Sequence, residues 1–197
     1  MSKISPETNQ RVGIFIDVQN LYHSAKNLYR GGRVNYGELM KHLVGDRQLI
    51  RALAYVVRSE IPGGEHGGTD RLPSGEGAFF EALHKSGLDL RSKDLQTFGD
   101  GTKKGDWDVG LAVDAIRMSN HLDVIVLVTG DGDFIPLVEY LRWGMGRIVE
   151  VAAFKRSCSM KLQESVDRFI NVEDIPRIII RGTAATTRHK NDYSQNI

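Results

Sequence analysis

Short apolar runs alternate along the chain with amphipathic stretches, and glycines or carboxylates close most of them. Residues 12–17, "VGIFID", read as a buried strand ending at Asp17; "NLYHSAKNLYR" then sets Leu21, Ala25 and Leu28 at helical spacing until Gly31 and Gly32 stop it. "NYGELMKHLVG" predicts a second short helix, opened by an Asn35/Glu38 capping box and closed at Gly45. A strand is expected over 49–57, and residues 59–77, glycine-rich with two prolines, predict a long mobile loop. "AFFEALHKSG" (78–87) predicts a helix, and the alternation in "LDLRSKDL" (88–95) suits a half-exposed edge strand. A second flexible passage, "FGDGTKKGDW" (98–107), leads into a helix whose Val109, Ala112, Val113 and Ile116 share one face.

"VIVLV" (124–128) is the clearest buried strand, since a continuous β-branched run implies apolar cover on both faces. "DFIPLVEYLRWG" (133–144) predicts a helix with Asp133 at its N-cap, Pro136 in its first turn and Gly144 at its end. "RIVEVAAF" predicts a strand and "CSMKLQESVDRFI" (158–170) a helix. Strands alternating with helices through right-handed crossovers give an α/β fold, a three-layer α/β/α sandwich around a parallel sheet. One domain is expected over 11–175, with a flexible stretch at 1–10 and an extension at 176–197 that is disordered from about Thr183.

Composition narrows the class. A chain of 197 residues with 41% hydrophobic and 26% charged residues is that of a soluble globular protein, and no apolar run approaches the ~20 residues of a membrane span. The N-terminus "MSKISPETNQR" has no apolar leader segment, so a cytoplasmic protein without membrane contact is expected. The single Cys158 excludes an internal disulfide and a multi-thiolate zinc site. A net charge of +1 provides no global basic field, so nucleic-acid binding would have to come from a local patch.

Carboxylates stand where buried strands end. In an open parallel sheet the functional crevice lies beyond the C-terminal strand ends, at the switch point. Asp17 ends the first strand, Asp131 and Asp133 follow the most buried one, and the helix entered at Asp108 points its N-terminus the same way. Such crowding would push carboxyl pKa values upward unless a cation neutralises it, and all-oxygen donors suit Mg²⁺ or Mn²⁺. Metal-assisted phosphodiester hydrolysis is the chemistry such a set supports. Each acid also has a local reading: Asp133 as a helix cap, Asp131 in turn chemistry, Asp108 as a cap of its own helix. Asn20 serves equally to cap the first helix, to hold Asp17 or to bind substrate. Asp114, about 240° around the helix from Asp108, ranks second, and Asp106 reads as solvated.

Other motifs fall away. "GDGTKKG" lacks the glycine spacing and preceding strand of a dinucleotide site, no Walker A sequence occurs, and the six histidines show no ligand spacing. Lys103, Lys104, Lys155 and Arg156 flank the expected notch, with Lys104 favoured for phosphate contact; Trp107 is either a base-stacking platform or a core anchor.

Taken together, "FIDVQN", "KKGDWDVGLAVDA", "VTGDGDF" and "SMKLQESVDRFI" resemble the NYN domain family, in its bacterial LabA-like (DUF88) branch, over residues 11–175. The resemblance implies a PIN-like fold with strand order 3-2-1-4-5 and an acidic metal site, onto which Asp17, Asn20, Asp108, Asp131 and Asp133 map, with Thr129 as the hydroxyl residue before the Gly-Asp block. In this sequence the usual spacing before the helix-entry acid is stretched to "KGDWD", which leaves Asp106 and Asp108 as contenders for that place. The implied function is a Mg²⁺- or Mn²⁺-dependent ribonuclease acting on RNA, single-stranded by preference. The alternative is a non-catalytic RNA- or nucleotide-binding regulatory module using the same notch. Activity on DNA and assembly into a homo-oligomer are left open.

Overall fold

A computed structural model describes residues 9–58, 76–94, 96–97, 103–104 and 107–180. Six parallel strands form the central sheet: β1 (Arg11–Asp17), β2 (Gln48–Arg58), β3 (Asp89–Asp94), β4 (Val124–Val128), β5 (Ile148–Ala153) and β6 (Arg168–Asn171), in spatial order 3-2-1-4-5-6. The order expected from the resemblance holds for the first five, and a sixth strand extends it. Alternation within β4 shows why both faces must be covered. Val124, Val126 and Val128 enter the core under α1 (Val18–Leu28), α2 (Tyr36–Val44) and α3 (Glu76–Lys85), whereas Ile125 and Leu127 enter the opposite core. That second core lies under α4 (Asp108–Met118), α5 (Ile135–Glu139) and α6 (Met160–Ser165).

Asn35 caps α2 by accepting a hydrogen bond from the Glu38 amide at 3.2 Å, and Gly45 ends it at φ +55°, a backbone region that favours glycine. A two-residue antiparallel ladder ties Ile179–Ile180 to Arg33–Val34. A second ladder pairs Gln96–Thr97 with Lys103–Lys104, the latter inside the passage expected to be flexible. The glycine-rich loop falls, up to residue 75, outside the described residues, as do residues 1–8 and the tail from 181.

Three local expectations are corrected. The stretch 158–170 is not one helix: α6 stops at Ser165 and residues 168–171 form β6. The Asp167 carboxylate accepts from the Val149 amide at 2.9 Å and from Arg142 at 2.7 Å, pinning the chain beside β5 where strand pairing takes over. The 133–144 helix is broken into a 3-10 turn (Gly132–Phe134), α5 and a π turn (Tyr140–Gly144). Its first turn is capped by Asp131, whose side chain accepts from the Asp133 amide; Asp133 is not the cap. In α4 the face inferred from spacing points outward, with Val109 75% exposed, while Leu111 and Ala115 are buried. α4 is apolar on most of its circumference, so spacing alone cannot select the buried stripe; the anchor at its N-terminus does.

Candidate functional site

β1 lies between β2 and β4, and the chain leaves β1 and β4 toward opposite faces of the sheet, which makes their shared C-terminal rim the switch point. Ile16 pairs with Val128, so Asp17 and Thr129 emerge side by side. Thr129 is fully buried, and its hydroxyl joins the two strand ends. It donates to Asp17 Oδ2 at 3.4 Å and accepts from the Asp131 amide at 3.2 Å. Asp131 Oδ1 in turn accepts from the Asp133 amide at 3.0 Å. One hydroxyl thus ties the Asp17 carboxylate to the backbone of Asp131, more than a hundred residues away in sequence.

Asp17 is the N-cap of α1, accepting from the Asn20 amide at 3.0 Å. This settles the role of Asn20 in the fold, because its side chain neither caps α1 nor meets Asp17. Its Oδ1 accepts from the Gly130 amide at 2.9 Å and so ties α1 to the loop after β4. One turn further along α1, Ser24 receives a hydrogen bond from Ser157 at 2.9 Å. The Ser159 amide donates to the Gly130 carbonyl at 2.9 Å. The loop bearing Asp131 is therefore clamped between α1 and the segment 157–159.

Gly130 is required there for space. A Cβ would sit 2.9 Å from the Ser157 carbonyl oxygen and 3.1 Å from Cys158 Cα, and both are backbone atoms that cannot swing aside. Sequence reasoning missed Gly130, Ser157 and Ser159 as parts of the site. The glycine was visible inside "VTGDGDF", but the segment that presses on it comes from another strand end. Cys158 itself is buried, and burial pushes its thiol up to about 11, which leaves no thiolate for chemistry at neutral pH.

Asp108 follows Trp107, which fixes the start of α4 against β2. The indole Nε1 donates to the Val56 carbonyl at 2.8 Å and the ring packs on Tyr55 at 5.6 Å, while Tyr55 is the register partner of Asp17. Trp107 is thus a core anchor, and Asp108 opens α4 beside the part of β2 that pairs with the end of β1, with its charge favoured by the helix N-terminus. Asp114 belongs elsewhere: it accepts from the Tyr55 hydroxyl at 3.1 Å and pairs with Arg91 at 3.6 Å. Asp133 is exposed at the mouth of the loop. Lys104 lies opposite Gln96 in its short ladder, and Asp106 is outside the described residues. Arg156 is engaged with Glu173 at 2.7 Å and lies over the Tyr29 ring, so it is a structural cation.

The electrostatics of the pair are directional. Burial raises the Asp17 carboxyl above its ordinary value; the Asn20 amide and Thr129 hydroxyl pull it back, and the Asp131 charge raises it further. A buried acid facing a second acid is disfavoured as an anion unless a cation joins them. Among the described residues no group of three His, Cys, Asp or Glu side chains forms a ready-made metal cage. Two carboxylates with the remaining positions filled by water are, however, how Mg²⁺ is commonly held, so the Asp17/Asp131 donor set fits a hydrated hard cation and does not fit a fully protein-ligated one.

Known proteins resemble this chain in sequence and in fold. LabA of Synechococcus elongatus (strain ATCC 33912 / PCC 7942 / FACHB-805), the low amplitude and bright protein, is 24% identical over 177 residues, spanning 86% of this chain and 87% of LabA. The crystal structure of VPA0982, a protein of unknown function from Vibrio parahaemolyticus RIMD 2210633, superposes with a TM-score of 0.75 at 28% identity, covering 90% of this chain and 100% of that one. With the NYN domain model matching residues 11–173, from the first sheet strand to beyond the last, the chain belongs to the NYN domain family.

Proposed function

We propose that the chain is a Mg²⁺- or Mn²⁺-dependent ribonuclease that hydrolyses single-stranded RNA at the rim between β1 and β4. The observation that carries this reading is the Asp17–Thr129–Asp131 linkage: a buried hydroxyl joins the Asp17 carboxylate, raised by burial, to the backbone amide of Asp131 at the switch point of a parallel sheet. Asp17 and Asp131 would hold the ion, with Asp108 and Asp133 at the same rim reached through water. Bound there, the ion would acidify a water molecule and offset the charge of the phosphodiester.

The chain's own part is positioning. Asn20 and Gly130 fix the distance between α1 and the acidic loop, Thr129 aligns Asp17 with Asp131, and Trp107 sets the entry of Asp108. Lys104 is proposed as a contact for the strand's phosphates. The exposed Asp133 is open to a water-mediated contact at the mouth. The test is cleavage of a labelled single-stranded RNA in Mg²⁺ or Mn²⁺, with abolition in Asp17→Asn; undiminished cleavage by that variant would remove this rim as the active site.

One observation favours a second reading. The lack of a third close ligand among the described residues suits a module that binds RNA or a nucleotide without cutting it. Thermal melting separates the two, because an occupied metal site raises stability by mass action. No shift at millimolar Mg²⁺, together with no cleavage, selects the binding module.

A further inference from the structure

Beside the acidic rim lies a cleft of about 520 Å³, within the range of small-ligand sites, formed between α1, the turn entering α2 and α3. Tyr22, Tyr36 and Phe79 supply its aromatic walls, and Ala78 and Ala82 keep one side low. The Phe79 ring meets Tyr36 edge-on at 6.0 Å, and Tyr22, 39% exposed, carries Lys26 over its face at 5.8 Å. Arg33, exposed and without an ion-pair partner among the described residues, lines the mouth, where the described lining residues include no carboxylate. Nearby acids have their own partners: Glu38 pairs with Arg177 at 3.1 Å and Glu81 with Lys85 at 2.8 Å.

The cleft shares α1 with the rim. Tyr22 lies five residues along from Asp17 on the helix that Asp17 caps, about 7 Å along the axis. Tyr36, which forms the inner wall, is close enough to Asp17 that the carboxylate charge adds to burial in raising its phenol. Flat aromatic walls with Arg33 at the mouth, Lys26 over the Tyr22 ring and no opposing acid match a nucleobase and its phosphate. An apolar peptide would have no use for Lys26 and Arg33.

Resting on the ribonuclease reading, we propose that this cleft is a base-binding subsite: it takes a base flanking the scissile phosphate of single-stranded RNA, stacked on Tyr22 and Phe79, with Arg33 and Lys26 on the adjoining phosphate. The preference for single strands follows, since a base paired in a duplex cannot leave its stack to enter.

Binding of a fluorescein-labelled RNA octamer to the full chain in EDTA, followed by anisotropy, tests this without cleavage. Tyr22→Ala is expected to weaken binding roughly 5- to 100-fold and Tyr22→Phe to restore most of it, as stacking requires. Arg33→Ala should weaken binding and flatten its salt dependence. Tyr140→Ala, an exposed tyrosine on the other face, should bind as wild type. Equal binding by Tyr22→Ala, Tyr22→Phe and wild type, or equal competition by a duplex of the same length, overturns the subsite. If Mg²⁺-dependent cleavage proceeds with unchanged KM in Tyr22→Ala, the subsite falls while the nuclease stands. If the octamer binds through Tyr22 but no metal supports cleavage, the nuclease falls and the cleft remains as an RNA site.

Discussion

Replacing Gly130 by alanine adds one methyl group at the tightest point of the acidic loop. Its φ is not in the left-handed region, so alanine meets no backbone penalty and the effect isolates packing. The new Cβ would lie 2.9 Å from the Ser157 oxygen and 3.1 Å from Cys158 Cα. Relieving that overlap requires the two loops to part by about 0.5 Å, since carbon and oxygen in ordinary contact lie near 3.4 Å. Overpacking of this kind costs about 1–3 kcal/mol. For a chain of this size that lowers Tm by roughly 2–12 °C.

The parting also strains the Ser159 amide bond to the Gly130 carbonyl and moves Asp131 relative to Asp17. If the rim is catalytic, such a displacement lowers kcat on the order of tenfold. Differential scanning calorimetry and amide hydrogen exchange at Ser159 read the first consequence independently of activity. An alanine variant with wild-type Tm and a Ser159 amide as slow to exchange as before would refute the claim that space at Gly130 holds the loop.

Three further outcomes follow from the same geometry. Because burial and Asp131 raise the Asp17 carboxyl, the folded chain binds its proton more tightly than the unfolded chain does. In metal-free buffer this contribution therefore lowers stability as pH rises from below 3.8 through the folded-state pKa. Asp17→Asn keeps the cap but removes the charge, so at pH 7 without metal it should melt above wild type, with no gain on adding Mg²⁺; a lower Tm would count against the buried-charge argument. Glu150→Ala leaves Arg47, whose side chain is 3% exposed and 3.1 Å from Glu150, with the Leu43 and Val44 carbonyls but no counter-charge at that distance, and should cost about 3–5 kcal/mol by urea denaturation. A loss below about 1 kcal/mol would mean water reaches that pair. Trp107→Phe removes the hydrogen bond to Val56 and should cost about 1 kcal/mol, with faster exchange of the Leu111 amide, which bonds the Trp107 carbonyl; unchanged exchange there would show that α4 is anchored by packing alone.

Sequence by itself determined the layers and the strand ends at which the carboxylates stand. The unbroken apolar runs at 12–16 and 124–128 admit only a strand covered on both faces, and a carboxylate that closes such a run is displaced to its rim wherever the neighbours lie. Asn35, Gly45 and the helix beginning at Asp108 were equally legible, because caps and stops act within a few residues of themselves. Tertiary structure decided whatever depends on a distant partner. The outward face of α4 follows from Trp107 reaching a carbonyl on β2, and β6 exists because Asp167 captures the Val149 amide. Asn20 turned from capping toward Gly130, and Arg156 was drawn to Glu173, because in each case a partner more than ten residues away offered the better hydrogen bond. Local patterning records what a residue does to its own turn of backbone, whereas the clamp around Gly130 and the union of Asp17 with Asp131 come into being only when β1, β4 and the end of β5 are set side by side.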